Sequence, residues 1–279
     1  MKYIISIFAM MICVNTYAQL NPFSESLENS HCIDTARFEI RYSFKFKNHP
    51  SQKRFAEDMR VIQVGKNVVK DFSEIVYHYD SLATENFKKG LSTTSTNPYF
   101  TFPCEIYNYP KKKQCNEKYR LFLSAGVLCY PSKWTDIEWN YSSNDTIQLL
   151  GYTCNKAIAN FAGRKYTAWY TLDVPIPFGP YKFSGLPGLI IRIEESNGMY
   201  VWEFCSLSTT PSCIYNYKYK KEQKCTAEAA AKTIRRMITR PMTFLSSSGI
   251  KVMMKQSDGK WAPATKDKKE NLYEPIELK

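Results

Sequence analysis

Residues 37–47 alternate strictly between polar and apolar side chains, and this pattern limits the fold more than any other feature of the sequence. The apolar positions are Phe38, Ile40, Tyr42, Phe44 and Phe46. Because successive side chains of a β-strand point to opposite faces of its sheet, the segment predicts a strand with one buried face and one face in water. Strands of this kind are typical of antiparallel sheets.

Turn signals connect this strand to others. Gly65-Lys66-Asn67 and Ala162-Gly163 each separate two runs of strand-forming residues, and Ser196-Asn197-Gly198 contains Asn-Gly, the strongest short hairpin signal. Residues 74–79, with the sequence EIVYHY, extend the strand pattern. The chain is therefore expected to be mainly β, with consecutive strands paired as hairpins.

Two segments depart from the strand pattern. Residues 81–118 are polar and contain three prolines, so they are expected to form an irregular excursion with one short helix near 83–90. Residues 226–240 carry apolar side chains at helical spacing, with Thr226 as N-cap and Pro241 just beyond the end. This second segment predicts an amphipathic helix that packs on the sheet.

The beginning of the chain has the features of a secretory leader. Lys2 precedes an almost wholly apolar run at residues 3–14, so residues 1–18 are expected to be a signal peptide that is cleaved after Ala18. The run is too short to cross a bilayer, which takes about 20 apolar residues. We therefore expect an exported protein that is periplasmic, associated with the outer membrane or secreted, and not membrane-spanning. Residues 19–279 contain no repeat or flexible linker and are expected to form one domain.

The cysteine count predicts disulfides. Of nine cysteines, Cys13 lies in the predicted leader, and an even number remains, as is typical of exported proteins with disulfides. The candidates are Cys32, Cys104, Cys115, Cys129, Cys154, Cys205, Cys213 and Cys225. Two local pairs are favoured, Cys104–Cys115 and Cys205–Cys213, although the sequence leaves the full connectivity open. No cysteine or histidine pair has metal-ligand spacing, so neither a metal nor a cofactor is expected.

The formal net charge is +12, with lysines that are scattered apart from clusters at 111–113 and 266–269. Basic proteins often bind nucleic acid. An exported location disfavours that partner, and the pattern instead indicates a solvated basic surface.

The sequence offers little that points to catalysis. Its three histidines, His31, His49 and His78, are far apart along the chain, and none of the common nucleophile, zinc, phosphate-loop or dinucleotide motifs is present. No catalytic residue is therefore assigned, and a protein without enzymatic activity is favoured. A hydrolase whose site is assembled from distant residues is the alternative, and a cluster of His78 with a carboxylate and a hydroxyl would support it.

A proline-rich segment leads into the most distinctive motif of the chain. Four prolines within residues 173–188 remove backbone donors, so this segment predicts an extended connection that lies outside the sheet ladder. Residues 186–189 then fit a type II turn, with Pro187 at the second position and Gly188 supplying a positive φ at the third. Gly185 is expected to allow a close backbone approach. The motif is expected to be structural in the first place, with ligand contact as the alternative.

Four segments resemble one known family. They are GYTCNKA at 151–157, GRKYTAWYT at 163–171, IPFGPYKFSGLPGLIIRI at 176–193 and EPIEL at 274–278. Together they resemble the GLPGLI family of exported proteins from diderm bacteria, which is named for the hexapeptide found here as Gly185, Leu186, Pro187, Gly188, Leu189 and Ile190.

The resemblance implies an envelope β protein without an established activity, and no catalytic residues are carried over. It also implies a fold: an antiparallel, incomplete β-barrel or strongly curved sheet with a C-terminal amphipathic helix, similar to periplasmic lipoprotein carriers. A half-barrel of this kind would offer an apolar groove for a ligand.

We therefore expect an exported envelope protein that binds an apolar or peptidic ligand, or an outer-membrane receptor or envelope complex. Two alternatives remain open. One is the envelope hydrolase described above. The other is a structural accessory protein of an outer-membrane complex, for which an exposed apolar patch without a cavity would be the sign.

Overall fold

The computed structural model describes residues 20–91, 97–255 and 259–278, and the predicted signal peptide lies outside these ranges. Nineteen elements follow one another along the described residues, in addition to a 3₁₀ turn at Pro110–Lys112. They are β1 Ser30–Ala36, β2 Phe38–Phe46, β3 Ala56–Val64, β4 Val69–Ser73, α1 Glu74–Lys88, β5 Cys104–Tyr109, β6 Gln114–Arg120, β7 Val127–Ser132, β8 Asn140–Leu149, β9 Tyr152–Phe161, β10 Arg164–Thr171, β11 Leu189–Glu195, β12 Tyr200–Ser208, β13 Ser212–Tyr217, β14 Glu222–Lys224, α2 Ala227–Thr239, α3 Pro241–Ser247, β15 Met253–Lys255 and β16 Trp261–Pro263.

One large sheet dominates the fold. Its twelve strands lie in the order β14-β7-β6-β5-β4-β3-β2-β12-β11-β10-β9-β8. All neighbours are antiparallel except β14 and β7, which run parallel. Within the described residues β14 and β8 form the two edges, so the sheet does not close into a barrel. The predicted fold class, mainly β and antiparallel with an open sheet, is confirmed.

The two faces of the sheet are covered by different elements. Ile40, Tyr42, Phe44 and Phe46 of β2 lie on the core face and are at most 3% exposed, as the alternation predicts. The proline-rich connection and α2 pack on this face. The opposite face carries α1, and it also carries a ribbon of β1 paired with β13. We call it the α1 face.

Helix α2 confirms the sequence prediction. Thr226 accepts a hydrogen bond from the amide of Ala229 at 3.2 Å, which caps the helix, and Ala230, Ile234 and Met237 are buried against the core face. Pro241 starts the short helix α3 instead of continuing α2.

Helix α1 corrects two predictions. Residues 74–79 were expected to be a strand, but the Ser73 hydroxyl caps the first turn of a helix by accepting from the Val76 amide at 3.1 Å. The segment at 81–118 was expected to be irregular, yet it completes α1 and supplies β5 and most of β6. These two strands lack an apolar pattern because they carry buried polar side chains, among them Glu105 and Glu117.

Charged side chains are buried on both faces of the sheet, and each meets an opposite charge. Arg60 pairs with Asp58 and Asp71, Lys70 with Glu105 at 3.2 Å, and Arg120 with Asp80 at 2.5 Å. An unpaired charge at such depth would cost several kcal/mol, so the members of each pair depend on one another.

The hexapeptide corrects the predicted turn. Gly185 has a φ of +92°, whereas Gly188 does not adopt a positive φ. A Cβ on Gly188 would instead lie 1.8 Å from the Thr171 carbonyl oxygen. The two glycines therefore exchange their predicted roles: Gly185 makes the turn, and Gly188 allows two backbone segments to touch. Leu186, Leu189 and Ile190 are buried in the core, which agrees with a structural role.

The structure contains the disulfide Cys32–Cys213, which joins β1 to β13 with a Cα–Cα distance of 5.7 Å. The predicted pair Cys205–Cys213 is therefore wrong. The pair Cys104–Cys115 is also wrong, because Cys104 lies opposite Tyr119 in the ladder and Cys115 lies opposite Asn108. This four-residue offset separates them by about 13 Å along the strands, beyond the reach of a disulfide.

Among the described residues six cysteines are free thiols: Cys104, Cys115, Cys129, Cys154, Cys205 and Cys225. Burial raises the pKa of Cys104 well above its usual value and that of Cys115 to about 12. Both therefore remain protonated and unreactive at neutral pH.

Candidate functional site

A cleft of about 450 Å³ opens beside the core face. Its apolar lining consists of Leu20, Phe100, Phe122, Ile238, Pro241 and Leu272. Its polar lining consists of Asn48, His49, Ser51, Gln52, Lys269, Glu270 and Asn271. An apolar floor with a polar rim is the usual composition of a site for an organic ligand.

The aromatic side chains of the floor are held by the sheet beneath them. Phe100 stacks on Phe46 of β2 with ring centroids 5.7 Å apart, and Phe102 meets Phe46 edge-on at 6.0 Å. A second void of about 20 Å³ lies below and shares Phe100 and Phe122 with the cleft. It has room for about one water molecule, so the cleft narrows sharply toward the core.

Residues Asn271–Leu278, which we call the acidic segment, border the cleft and cross the core face without helix or strand, with a bend at Ile276. Main-chain hydrogen bonds hold it at three points. The amides of Asn271, Glu274 and Leu278 donate to the carbonyls of Thr239, Asn48 and Ala162, at 2.8, 2.7 and 2.8 Å.

A buried arginine holds the middle of the acidic segment. Arg164 is 1% exposed and donates to the Ile276 carbonyl at 3.0 Å, to the Pro275 carbonyl at 2.7 Å and to the Glu274 carboxylate at 2.7 Å. Its guanidinium also pairs with Glu195 of β11 at 3.6 Å.

A buried lysine holds the far end of the segment. Lys182 pairs with Glu117 of β6 at 2.7 Å and with Glu277 at 2.5 Å, and the Tyr181 hydroxyl donates to the same Glu277 oxygen at 2.6 Å. Burial alone would lower the pKa of Lys182, but attraction to Glu117 and Glu277 outweighs burial and raises it. The lysine therefore stays charged at neutral pH.

The predicted site residues are dispersed. His31 lies on β1. His78 is exposed on α1 with its ring against Tyr79, and it does not form the cluster with a carboxylate and a hydroxyl that would support a hydrolase. Only His49 reaches the cleft, where its Nδ1 lies 2.8 Å from the Ser51 hydroxyl. No residue of the hexapeptide lines the cleft, and the described residues contain no metal-ligand cluster.

A shallower groove of about 250 Å³ lies on the α1 face. Tyr77 and Tyr215 flank it at 39% exposure each, and Arg41 crosses it with ion pairs at 2.8 Å to both Glu39 and Glu74. Its polar groups already pair with one another, which makes it a weaker candidate than the cleft.

The charged residues around the acidic segment were missed in the sequence, although a signal for them exists. Arg164, Lys182 and Glu277 lie in three of the four segments that carry the family resemblance, 163–171, 176–193 and 274–278. A charge inside an otherwise apolar motif indicates a fixed partner, but the sequence does not show that the three segments meet.

No helix among the described residues is long and apolar enough to span a membrane. No curated protein matches the chain. Two crystal structures of PNGF-II, in space groups P21 and C2, are similar to it with 17% and 16% identity and TM-scores of 0.44 and 0.46. Each match covers 74% of this chain and 34% of PNGF-II, so the chain spans about a third of that protein's length.

A family model described as "Protein of unknown function (Porph_ging)" matches residues 160–192. These residues include Arg164, Lys182 and the hexapeptide. The chain is therefore similar, over β10 and the proline-rich connection, to a family of proteins of unknown function.

Proposed function

We propose that this chain is an exported envelope protein of the GLPGLI family that binds a ligand in the cleft, with an apolar part of the ligand on the floor and a polar part at the rim. The hexapeptide and the family-model match over residues 160–192 support the family. The leader sequence and the Cys32–Cys213 disulfide support export, because disulfides persist in oxidising compartments. Fractionation of cells that produce the full chain tests the location, and recovery in the cytosol would contradict it.

The cleft is the observation that carries the binding proposal. A volume of about 450 Å³ suits a small lipid, a few side chains of a peptide or a similar amphiphile. Covering about 100 Å² of apolar floor would contribute about 2.5 kcal/mol. The amides of Asn48, Gln52 and Asn271, together with Lys269 and Glu270, would then select the polar part of the ligand.

Native mass spectrometry of the protein purified from its own envelope tests this proposal. We expect a bound mass that disappears in Phe100→Ser, which removes part of the floor, and persists in Phe55→Ser. Phe55 is the matched control, because it is 41% exposed and does not line the cleft. A wild-type protein with only its bare mass, or equal loss in both variants, would contradict the proposal.

A hydrolase remains the second candidate because of one contact. The His49–Ser51 distance of 2.8 Å is that of a base and nucleophile, and Glu270 lines the same cleft. The assay is hydrolysis of small esters. Hydrolysis that Ser51→Ala abolishes and Ser248→Ala retains would establish this activity, and no hydrolysis by the wild type would exclude it for esters. An accessory protein would show an apolar patch without a cavity, and the cleft does not fit that pattern.

A further inference from the structure

We propose that the surface around Arg164, Tyr181 and Lys182 is a recognition site for an acidic peptide, and that the chain's own acidic segment fills this site. The proposal is independent of the cleft ligand. It assigns a role to the charged residues of the family motifs that the proposed function does not use.

The acidic segment is bound as a separate peptide would be bound. It is neither helix nor strand, and its partners come from the loop after β2, the β9–β10 turn, β10, β12, α2 and the proline-rich connection instead of one neighbouring strand. Residues 268–270, which lead into it, are exposed, and Glu270 pairs with Arg240 at 3.0 Å. The segment therefore has its own contacts with the body beyond those of the chain that precedes it.

Arg164 recognises both backbone and side chain. It donates to two successive carbonyls, of Pro275 and Ile276, and to the Glu274 carboxylate. The planar fork of a guanidinium suits such an array, and a lysine could not reproduce it. Pro275 fixes its own φ, so less conformational entropy is lost when the peptide is ordered.

Lys182 and Tyr181 form a second pocket that binds a carboxylate, here that of Glu277, three residues after Glu274. The backbone bends at Ile276 between the two acids, so the site binds a Glu-Pro-x-Glu pattern with this bend. Tyr200 adds a hydrogen bond from its hydroxyl to the Glu274 carbonyl at 3.1 Å. Tyr273 and Ile276 pack partly buried against the main core.

The backbone at Tyr181 is strained in a way that serves this pocket. Tyr181 has a φ of +59°, which a bulky residue adopts rarely and at an energetic cost. Its amide donates at 2.5 Å to the buried carboxylate of Asp71, which Arg60 also holds. The body therefore keeps the Tyr181 hydroxyl and the Lys182 ammonium in position for a carboxylate, independently of the acidic segment.

The buried cations would also remain paired if the segment left. Glu195 stays beside Arg164, and Glu117 stays beside Lys182, since both carboxylates belong to strands of the sheet. Loss of the segment would therefore leave no uncompensated buried charge, which is the usual obstacle to opening such a contact. The site can accept the same type of peptide from a second copy of the chain.

Peptide exchange tests the proposal on the full chain. A protease recognition sequence inserted between Lys268 and Lys269 allows the folded protein to be cut, so that residues 269–279 are held by noncovalent contacts alone. We expect a labelled synthetic peptide of residues 269–279 to exchange into the cut protein with saturable anisotropy. A peptide with both Glu274→Gln and Glu277→Gln should compete at least tenfold more weakly, and one with Leu278→Ser, whose side chain is 46% exposed, should compete equally.

Two outcomes would overturn the proposal: no exchange below the unfolding temperature, or equal competition by all three peptides. Hydrogen exchange in the uncut chain provides a second measurement if the insertion disturbs folding. Glu277→Gln should speed exchange of the Leu278 amide at least tenfold and leave the α2 amides unchanged, whereas Glu270→Gln should have no effect. Equal exchange in the two variants would contradict recognition of Glu277.

Discussion

Replacement of Gly188 by alanine tests the corrected interpretation of the hexapeptide. The added Cβ would lie 1.8 Å from the Thr171 carbonyl oxygen and 2.8 Å from the carbonyl carbon, both of them backbone atoms. Thr171 cannot move freely, because it pairs with Leu189 in the ladder between β10 and β11. The substitution must therefore displace one of two hydrogen-bonded strands.

We expect the free energy of unfolding to fall by about 3–5 kcal/mol, at the upper end of what overpacking costs. For a chain of this size the melting temperature should fall by about 6–20 °C. Two other glycines serve as controls. Gly198 has a φ of +67° with no atom near its added Cβ, and Gly185 has a φ of +92° with its nearest atom at 3.8 Å. Alanine at either should cost about 1–2 kcal/mol from backbone conformation alone.

Urea and thermal unfolding, followed by circular dichroism, provide the measurement. An asparagine series separates the clash from a requirement for positive φ, since asparagine tolerates the left-handed region better than alanine does. Asparagine should be milder than alanine at Gly185 and Gly198, but at least as damaging as alanine at Gly188. The steric argument would be refuted if Gly188→Ala lowered the free energy of unfolding by an amount within about 1 kcal/mol of the effect of Gly198→Ala.

Three further predictions concern other parts of the fold. Burial would raise the pKa of Glu105, but Lys70 and hydrogen bonds from Tyr107 and Tyr219 lower it from 4.5 to about 2. The stability that this carboxylate contributes is therefore present above pH 4.5 and lost as the pH falls toward 2. The difference in unfolding free energy between wild type and Glu105→Gln should shrink over that window. A constant difference would contradict this. Cys213→Ser should cost about 2–5 kcal/mol because the disulfide spans 181 residues, whereas Cys205→Ser, which removes an exposed free thiol, should leave the melting temperature unchanged. Thr226→Ala should cost about 1 kcal/mol in urea unfolding by removing the α2 cap, and a loss near zero would show that the cap contributes nothing.

The features that could be predicted from the sequence depend on neighbours along the chain. The alternation of β2, the hairpin turn at Gly198 and the cap of α2 each follow from a few consecutive residues, and the structure has all three. The first half of helix α1 was missed because β-branched and aromatic residues in EIVYHY fit a strand as well as a helix, whereas the helix expected near 83–90 overlaps the second half. The capping hydroxyl of Ser73 lies just outside that segment.

The candidate site could not be predicted, because its parts come together only through long-range pairing. Arg164 and Glu274 are 110 residues apart, and Cys32 and Cys213 are 181 apart. The two glycines of the hexapeptide show the same limit. The sequence indicates that both positions need glycine, but the carbonyl that excludes a side chain at Gly188 belongs to Thr171, on the preceding strand.

The buried ion pairs have a consequence for how the strands find their partners. Arg60 on β3 pairs with Asp71 on β4, and Lys70 on β4 pairs with Glu105 on β5. A slip of one residue in either of these two ladders would separate a buried charge from its partner. Such a slip would also exchange the faces of the strand, and the two penalties add. We therefore expect Lys70→Met with Glu105→Leu to retain most of the stability but to admit strands paired out of register. Doubled amide resonances for β4 and β5 would reveal this, and a single set would show that apolar packing alone is sufficient to align the sheet.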